Sequence, residues 1–208
     1  MLEFCVLEQF DDLQHGNWQK YKNRNPLQRV LIRKFFATIR YLVEQSHALT
    51  VADIGCGEGF VMQYLMNVLP KLHCVGIDID IDSLRRGQLI HPDIQVQKGT
   101  IYNLPYTTRA FDLVLCIEVL EHLDQPRQAL EELIRITKRY CLFSVPNEPF
   151  FRLANFLRGK NITRFGDDIG HMNHWSKKSF ARFLRTSGLK ILTIKTPFPW
   201  LVVLSERN

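Results

Sequence analysis

The chain has 208 residues, enough for one domain with a buried core, and its 46% hydrophobic and 23% charged residues are ordinary for a soluble globular protein. No apolar run approaches the roughly 18 to 20 residues that span a bilayer, and five scattered cysteines (Cys5, Cys56, Cys74, Cys116, Cys141) without a CxxC pair speak against a disulfide framework or a zinc site. The formal net charge of +6 favours anionic partners such as nucleotides, phosphates, RNA or an acidic membrane surface.

The N-terminus, "MLEFCVLEQFDDLQHGNWQK", lacks the basic start and small-residue cleavage site of a secretion signal, so a cytoplasmic protein is expected. "NPLQRVLIRKFFATIRYLVEQ" predicts a helix, with Asn25 as N-cap, Pro26 at the first helical position and apolar residues at helical spacing through Val43. Seven short strands then follow as "LTVADIG", "HCVGIDI", "IQVQKG", "FDLVLCI", "YCLFSVP", "LKILTI" and "WLVVLS". Helical stretches lie between the earlier ones: "GFVMQYLMNVL" stopped by Pro70, "DSLRRGQLI" stopped by Pro92, and "PRQALEELIRITK". "SKKSFARFLRTSG" has Ser176 as N-cap and Gly188 as a C-terminal stop. Such alternation predicts right-handed βαβ crossovers and a Rossmann-like, seven-stranded, mostly parallel α/β sheet with helices on both faces. A single domain is expected, read as an N-terminal helical cap (1–46), a core (47–145), an insert (146–175) and a C-terminal helix with strands (176–208).

In such a sheet the ligand crevice lies beyond the carboxyl ends of the strands. "DIGCGEG" stands there, at the exit of the first strand, with glycines at 55, 57 and 59. Glycine reaches positive φ and leaves the backbone open to close approach, while the following helix N-terminus suits an anionic group. The second strand ends in "GIDID", which puts Asp78 at its tip, 23 positions after Gly55; a carboxylate there can bind both hydroxyls of a ribose. A dinucleotide fingerprint would need a glycine at position 60, which is Phe60.

The observed G-x-G-x-G, preceded by Asp53, resembles the first motif of the class I S-adenosylmethionine-dependent methyltransferases. "GIDID", "KGTIYNLPY" and "FDLVLCIEVLEHL" match the ribose acid, the adenine loop and the fourth strand with its exit loop. The resemblance implies S-adenosylmethionine as cofactor, held by Asp53, Gly55, Cys56, Gly57, Gly59, Asp78, Ile79, Thr100, Ile101, Cys116 and Glu118. Thr100 stands where many relatives carry an aspartate for the adenine amino group; its hydroxyl or the 100–101 backbone would serve instead.

"IEVLEHL" follows the fourth strand, and Glu118, Glu121 and His122 fall at i, i+3 and i+4, so one helical turn would gather them on one face. Two carboxylates and an imidazole suit a divalent ion such as Mg²⁺, Mn²⁺, Fe²⁺ or Zn²⁺. In the other reading an acid here orders the methionine part of the cofactor and the histidine packs. The E-x-x-E-H pattern with a distant histidine is similar to the ubiquinone-pathway O-methyltransferases and the small-RNA 2′-O-methyltransferases. That resemblance implies a metal held by Glu118, Glu121, His122 and His171, or by His174 in place of His171. Without a metal, His122 or His171 would be the general base, with Glu121 beside them.

The insert "NEPFFRLANFLRGKNITRFGDDIGHMNHW" predicts a short helix between Pro149 and Gly159, with Phe150, Leu153, Ala154 and Leu157 on one face and Arg152, Asn155 and Arg158 on the other. Phe150, Phe151, Phe156 and Phe165 would bury a ring system, and the basic face would meet an anionic membrane surface. The function expected is methyl transfer to an oxygen of a small, partly apolar acceptor, phenolic or lipid-like. An RNA 2′-O-methyltransferase, for which "NWQKYKNRNPLQR" offers aromatics among bases, and a cofactor-binding module without catalysis are the alternatives.

Overall fold

The computed structural model describes residues 25–208 apart from 158, 160 and 169. Most of the expected N-terminal cap, Cys5, and Arg158 and Lys160 of the insert therefore lie outside the described residues. Helix α1 (Pro26–Ser46) starts as its sequence dictates: the Leu27 and Gln28 amides donate to Asn25 Oδ1 at 2.9 and 3.3 Å. It buries Ile32, Phe35, Phe36, Ile39, Leu42 and Val43, the stripe set by the 3.6-residue period. Beyond it come β1 (Thr50–Ile54), α2 (Phe60–Val68), β2 (His73–Asp78), α3 (Ile81–Ile90), β3 (Gln95–Lys98), β4 (Phe111–Ile117), α4 (Pro126–Ile136) and β5 (Thr137–Pro146). The insert carries α5 (Phe150–Leu157), and α6 (Lys177–Thr186), β6 (Leu189–Lys195) and β7 (Trp200–Arg207) complete the fold.

The seven strands form one sheet in the order β3-β2-β1-β4-β5-β7-β6, parallel except for β7, which runs antiparallel to both β5 and β6. The chain winds outward from β1 through β2 to β3, then returns to place β4 on the other side of β1. That reversal opens a crevice at the carboxyl ends of β1 and β4. Both faces are covered. Val51, Leu113, Leu115 and Leu142 pack under α1 and α2, and Ala52, Val114, Phe143 and Val203 pack under α4 and α6. The two outermost strands are modest: β3 has four residues and exposes Gln95, Gln97 and Lys98, while β6 exposes Lys190 and Lys195 and carries an irregular register between Ile191 and Thr193. Cys56, Cys74, Cys116 and Cys141 are free and buried. Among the described residues no helix is long and apolar enough to cross a membrane.

The lower ends of the central strands are tied by one carboxylate. Asp112 Oδ2 accepts from the Thr50 hydroxyl (2.7 Å) and from the amides of Thr50 (2.9 Å) and Leu49 (3.2 Å), and Oδ1 accepts from Lys138 Nζ at 2.9 Å. Burial pushes this carboxyl up, but Lys138, the Thr50 hydroxyl and the two amides outweigh it and hold it well below the usual carboxylate range. Asp112→Ala should therefore destabilise the fold by about 2 kcal/mol, because it strands two backbone donors and a hydroxyl. Urea unfolding should show a lower midpoint with an unchanged slope.

A candidate active site at the carboxyl ends of β1 and β4

The loop after β1 takes positive φ at Gly55, Gly57 and Gly59 (82°, 52° and 75°), a run that side chains resist. Two of these glycines also leave room for neighbours. A Cβ on Gly55 would collide with Val119 Cγ2 from the exit of β4, and one on Gly59 would stand 2.5 Å from Ile94 Cδ1. The loop is thus pressed between the β4 exit and the approach to β3. Its Gly57 amide donates to Asp78 Oδ2 and the Asp80 amide to Asp78 Oδ1, both at 2.8 Å, so the carboxylate at the tip of β2 is aimed by backbone. Ile79 beside it is 69% exposed, an apolar side chain left in water at the mouth of the crevice. Asp53 lies behind the loop at 2% exposure, and its Oδ1 has no hydrogen-bond partner within the protein. Burial first, and then the Asp78 charge, push its carboxyl up to about 7. Cys56 is buried with its thiol shifted upward by burial, so it packs and does not act as a nucleophile.

Thr100 pairs with Asn103 as an isolated bridge, which shapes the loop after β3, and Ile101 is half-buried beside it. Cys116, expected at the cofactor, is the second-to-last residue of β4. Its position in β4 turns the side chain into the core at 0% exposure, among Ala52, Val114 and Phe143.

The exit of β4 differs from the expected helical turn, and Glu118 with it. Glu118 takes a left-handed φ of 59°, and only Leu120–His122 follow as a single 3₁₀ turn. Its carboxylate consequently swings away: Oε1 accepts from the Ser144 hydroxyl at 2.9 Å and Oε2 from the Trp200 indole N–H at 2.6 Å. Glu121 and His122 instead meet His171, with one ligand atom from each lying within 4.8 Å of the others. Of the four expected ligands, the structure brings Glu121, His122 and His171 together, and Glu118 lies outside that cluster.

His171 is delivered by hydrogen bonds, not by sequence proximity. The Met172 and Asn173 amides donate to Glu121 O (2.8 and 3.0 Å), and Asn173 Nδ2 donates to Leu120 O (3.2 Å) and Leu123 O (2.6 Å). His122 Nδ1 stands 2.7 Å from Gly170 O. A carbonyl can only accept, so Nδ1 carries a proton, and in the neutral imidazole the lone pair lies on Nε2. Burial lowers the His171 pKa, Asp168 opposes this, and His122 and His174 add to the lowering, so its imidazole stays neutral near pH 7. His174 is engaged elsewhere, with Nε2 on Asp167 Oδ1 at 2.7 Å. Of the two histidines left open by the sequence, His171 is the one at the cluster.

The insert is turned differently from its predicted face. Asn155, expected outward, is buried at 3% exposure and donates to Gly166 O at 3.1 Å, while Phe150, Leu153, Phe156 and Phe165 stand 50%, 54%, 42% and 77% exposed. Only Phe151 of the four expected lid aromatics reaches the cluster, its ring 5.3 Å from that of His171. The polar clasp that closes α5 on the 161–166 turn determines this rotation. Trp200, Ser144, Asn173 and Gly170 were not anticipated. Asn173 had a signal, since it lies between the two histidines; Trp200 had none, being 82 residues from Glu118.

Asp53 gives the site a pH signature. Its folded pKa of about 7 exceeds the ordinary 3.8, so the native state holds the extra proton between these values and stability falls as pH rises through that window. The Tm of Asp53→Asn minus that of the parent should accordingly climb from about pH 4 to about pH 7 and then level off, as read by calorimetry in the absence of cofactor.

Comparison with known proteins agrees with this geometry. Residues 52–144 match the family model described as a methyltransferase domain. A ubiquinone biosynthesis O-methyltransferase of Paraburkholderia xenovorans is 28% identical over 197 residues, covering 88% of this chain and 78% of that protein. A small RNA 2′-O-methyltransferase of Rattus norvegicus is 25% identical over 168 residues, 72% of this chain, which spans only 41% of that longer protein. The crystal structure of magnesium protoporphyrin IX methyltransferase from Synechocystis PCC 6803 with bound SAH superposes with a TM-score of 0.67 over 89% of each chain, at 17% identity. With the glycine loop, the aimed Asp78 and the 3-2-1-4-5-7-6 sheet already in place, the chain carries a methyltransferase domain at residues 52–144 and shares the fold of S-adenosylmethionine-dependent methyltransferases.

Proposed function

We propose that the chain methylates a hydroxyl oxygen of a small, partly apolar acceptor, phenolic or lipid-like, at the Glu121–His122–His171 cluster. The observation that carries this reading is the convergence of that buried carboxylate and two imidazoles beside the glycine loop, with His122 Nε2 left available. When bound, S-adenosylmethionine supplies an electrophilic methyl group on a sulfonium, and a divalent cation lowers the pKa of a coordinated hydroxyl.

The protein's own residues divide the work. The unpartnered Asp53 Oδ1 and the aimed Asp78 suit the cofactor's polar groups, Asp78 for the ribose hydroxyls, and exposed Ile79 suits the face of its base. Glu118 faces the methionine end. His122, held by Gly170 O, and neutral His171 take the acceptor's proton or hold a cation, and Glu121 balances the charge. Glu121, His122 and His171 would hold a divalent ion such as Mn²⁺, Fe²⁺ or Zn²⁺, which would lower the pKa of an acceptor hydroxyl bound to it. The exposed Phe150, Leu153, Phe156, Phe165 and Met172 support an apolar acceptor side, beside Arg152 and Arg164, which both pair with Asp167.

A second reading, RNA 2′-O-methylation, is favoured by charge placement. Residues 170–208 hold Lys177, Lys178, Arg182, Arg185, Lys190, Lys195 and Arg207 against Glu206 alone, which accounts for the whole excess of +6. Labelled methyl transfer to a panel of phenols, quinone precursors and small RNAs decides between the two. Transfer to RNA termini alone, sensitive to salt, overturns the small acceptor.

Asp78→Ala should weaken S-adenosylmethionine binding at least tenfold in calorimetry, since charge-assisted hydrogen bonds are each worth about 1.5–3 kcal/mol. Titration of the protein with Mn²⁺ or Zn²⁺ should show binding that His171→Ala reduces by about ten- to a hundredfold and Glu118→Gln leaves unchanged.

A further inference from the structure

We infer that Trp200 is a positioning residue for the cofactor, acting through Glu118, and that it ties helix α1 to the cofactor half of the site. The inference rests on the reading of Glu118 as a contact to the methionine end of S-adenosylmethionine.

Four observations converge on it. The indole N–H of Trp200 donates to Glu118 Oε2 at 2.6 Å, a charge-assisted contact between the first residue of β7 and the exit of β4. Ser144 completes the cradle from β5: its hydroxyl donates to Glu118 Oε1 at 2.9 Å, and its oxygen accepts from the Glu118 amide at 3.1 Å. Glu118 needs such a cradle, because its backbone sits in the left-handed region at φ 59°, where a non-glycine residue is held only by its surroundings. The Trp200 ring is itself held by Phe35 of α1, with centroids 4.6 Å apart, and is 6% exposed.

The consequence is directional. Glu118 has several rotamers and one useful direction; Trp200 and Ser144 select it before a ligand arrives, so less ordering remains to be done on binding. Phe35 stiffens the tryptophan, so disturbance of α1 is felt at Glu118 although the helix need not touch the cofactor.

A double-mutant cycle in cofactor affinity tests this. Trp200→Phe keeps the ring contact with Phe35 and deletes the N–H. It should weaken S-adenosylmethionine about tenfold in calorimetry, as should Glu118→Gln, and the double variant should be no weaker than the worse single variant. A role of Trp200 in core packing alone would lower Tm and add its effect to that of Glu118→Gln. Phe35→Leu should give a smaller loss that disappears in the Glu118→Gln background. If Trp200→Phe binds the cofactor as the parent does, or if the cycle is additive, the positioning role is overturned while the cofactor reading of Glu118 stands. If Glu118→Gln alone leaves affinity unchanged, that reading fails and the inference with it.

Discussion

The site depends on a short non-covalent splice, the docking of residues 170–173 onto the turn at 120–123. The Glu121 carbonyl takes two amides, Asn173 bridges two more carbonyls of the turn, and His122 reaches back to Gly170. The contact is made by a single 3₁₀ turn and a loop, not by a strand ladder or a helix pair. Without the splice, Glu121 and His122 would remain at the end of β4, and His171 would be a loop histidine about fifty residues away in sequence. Because the bonds are mainly to carbonyl oxygens, they fix the backbones and leave imidazole nitrogens for chemistry.

The cofactor half obeys a second constraint, close approach. Val119 fills the space that a side chain at position 55 would need, so the glycine loop and the β4 exit are one packed unit. That contact puts the left-handed Glu118 next to the loop. It also separates the two acids that the sequence groups together: Glu118 turns toward Ser144 and Trp200, and Glu121 turns toward the histidines. The two carboxylates thus point to different parts of the crevice.

The fold was legible because its signals are local. The apolar runs gave all seven strands, Asn25 and Ser176 cap the helices they were assigned, and the spacing of Gly55 to Asp78 located the crevice. The antiparallel insertion of β7 between β5 and β6 was less visible, since strand order is not written in periodicity. At the site, the spacing of Glu121 and His122 marked them as neighbours, while His171, which the structure brings to them, was pointed to only by the family resemblance. Glu118 does not share a face with Glu121 and His122, because i, i+3, i+4 spacing assumes a helix and a single left-handed residue cancels that assumption. The face of α5 was misread for a related reason: the Asn155 bond to Gly166 O outweighs the apolar stripe. Trp200 could not be found at all, because only tertiary folding brings it to Glu118.

The edges of the sheet carry a consequence of a different kind. An open sheet presents unsatisfied amides and carbonyls along its two outer strands, and these are templates on which a second copy can add a strand. Here β3 is four residues long and exposes Gln95, Gln97 and Lys98, and β6 carries Lys190 and Lys195 and is broken in register near its middle. Neither edge offers a long, flat, apolar rail. Mutual repulsion of lysines and the kinked ladder oppose edge-to-edge stacking, so the molecule can crowd at high concentration with little tendency to extend its sheet into a neighbour's.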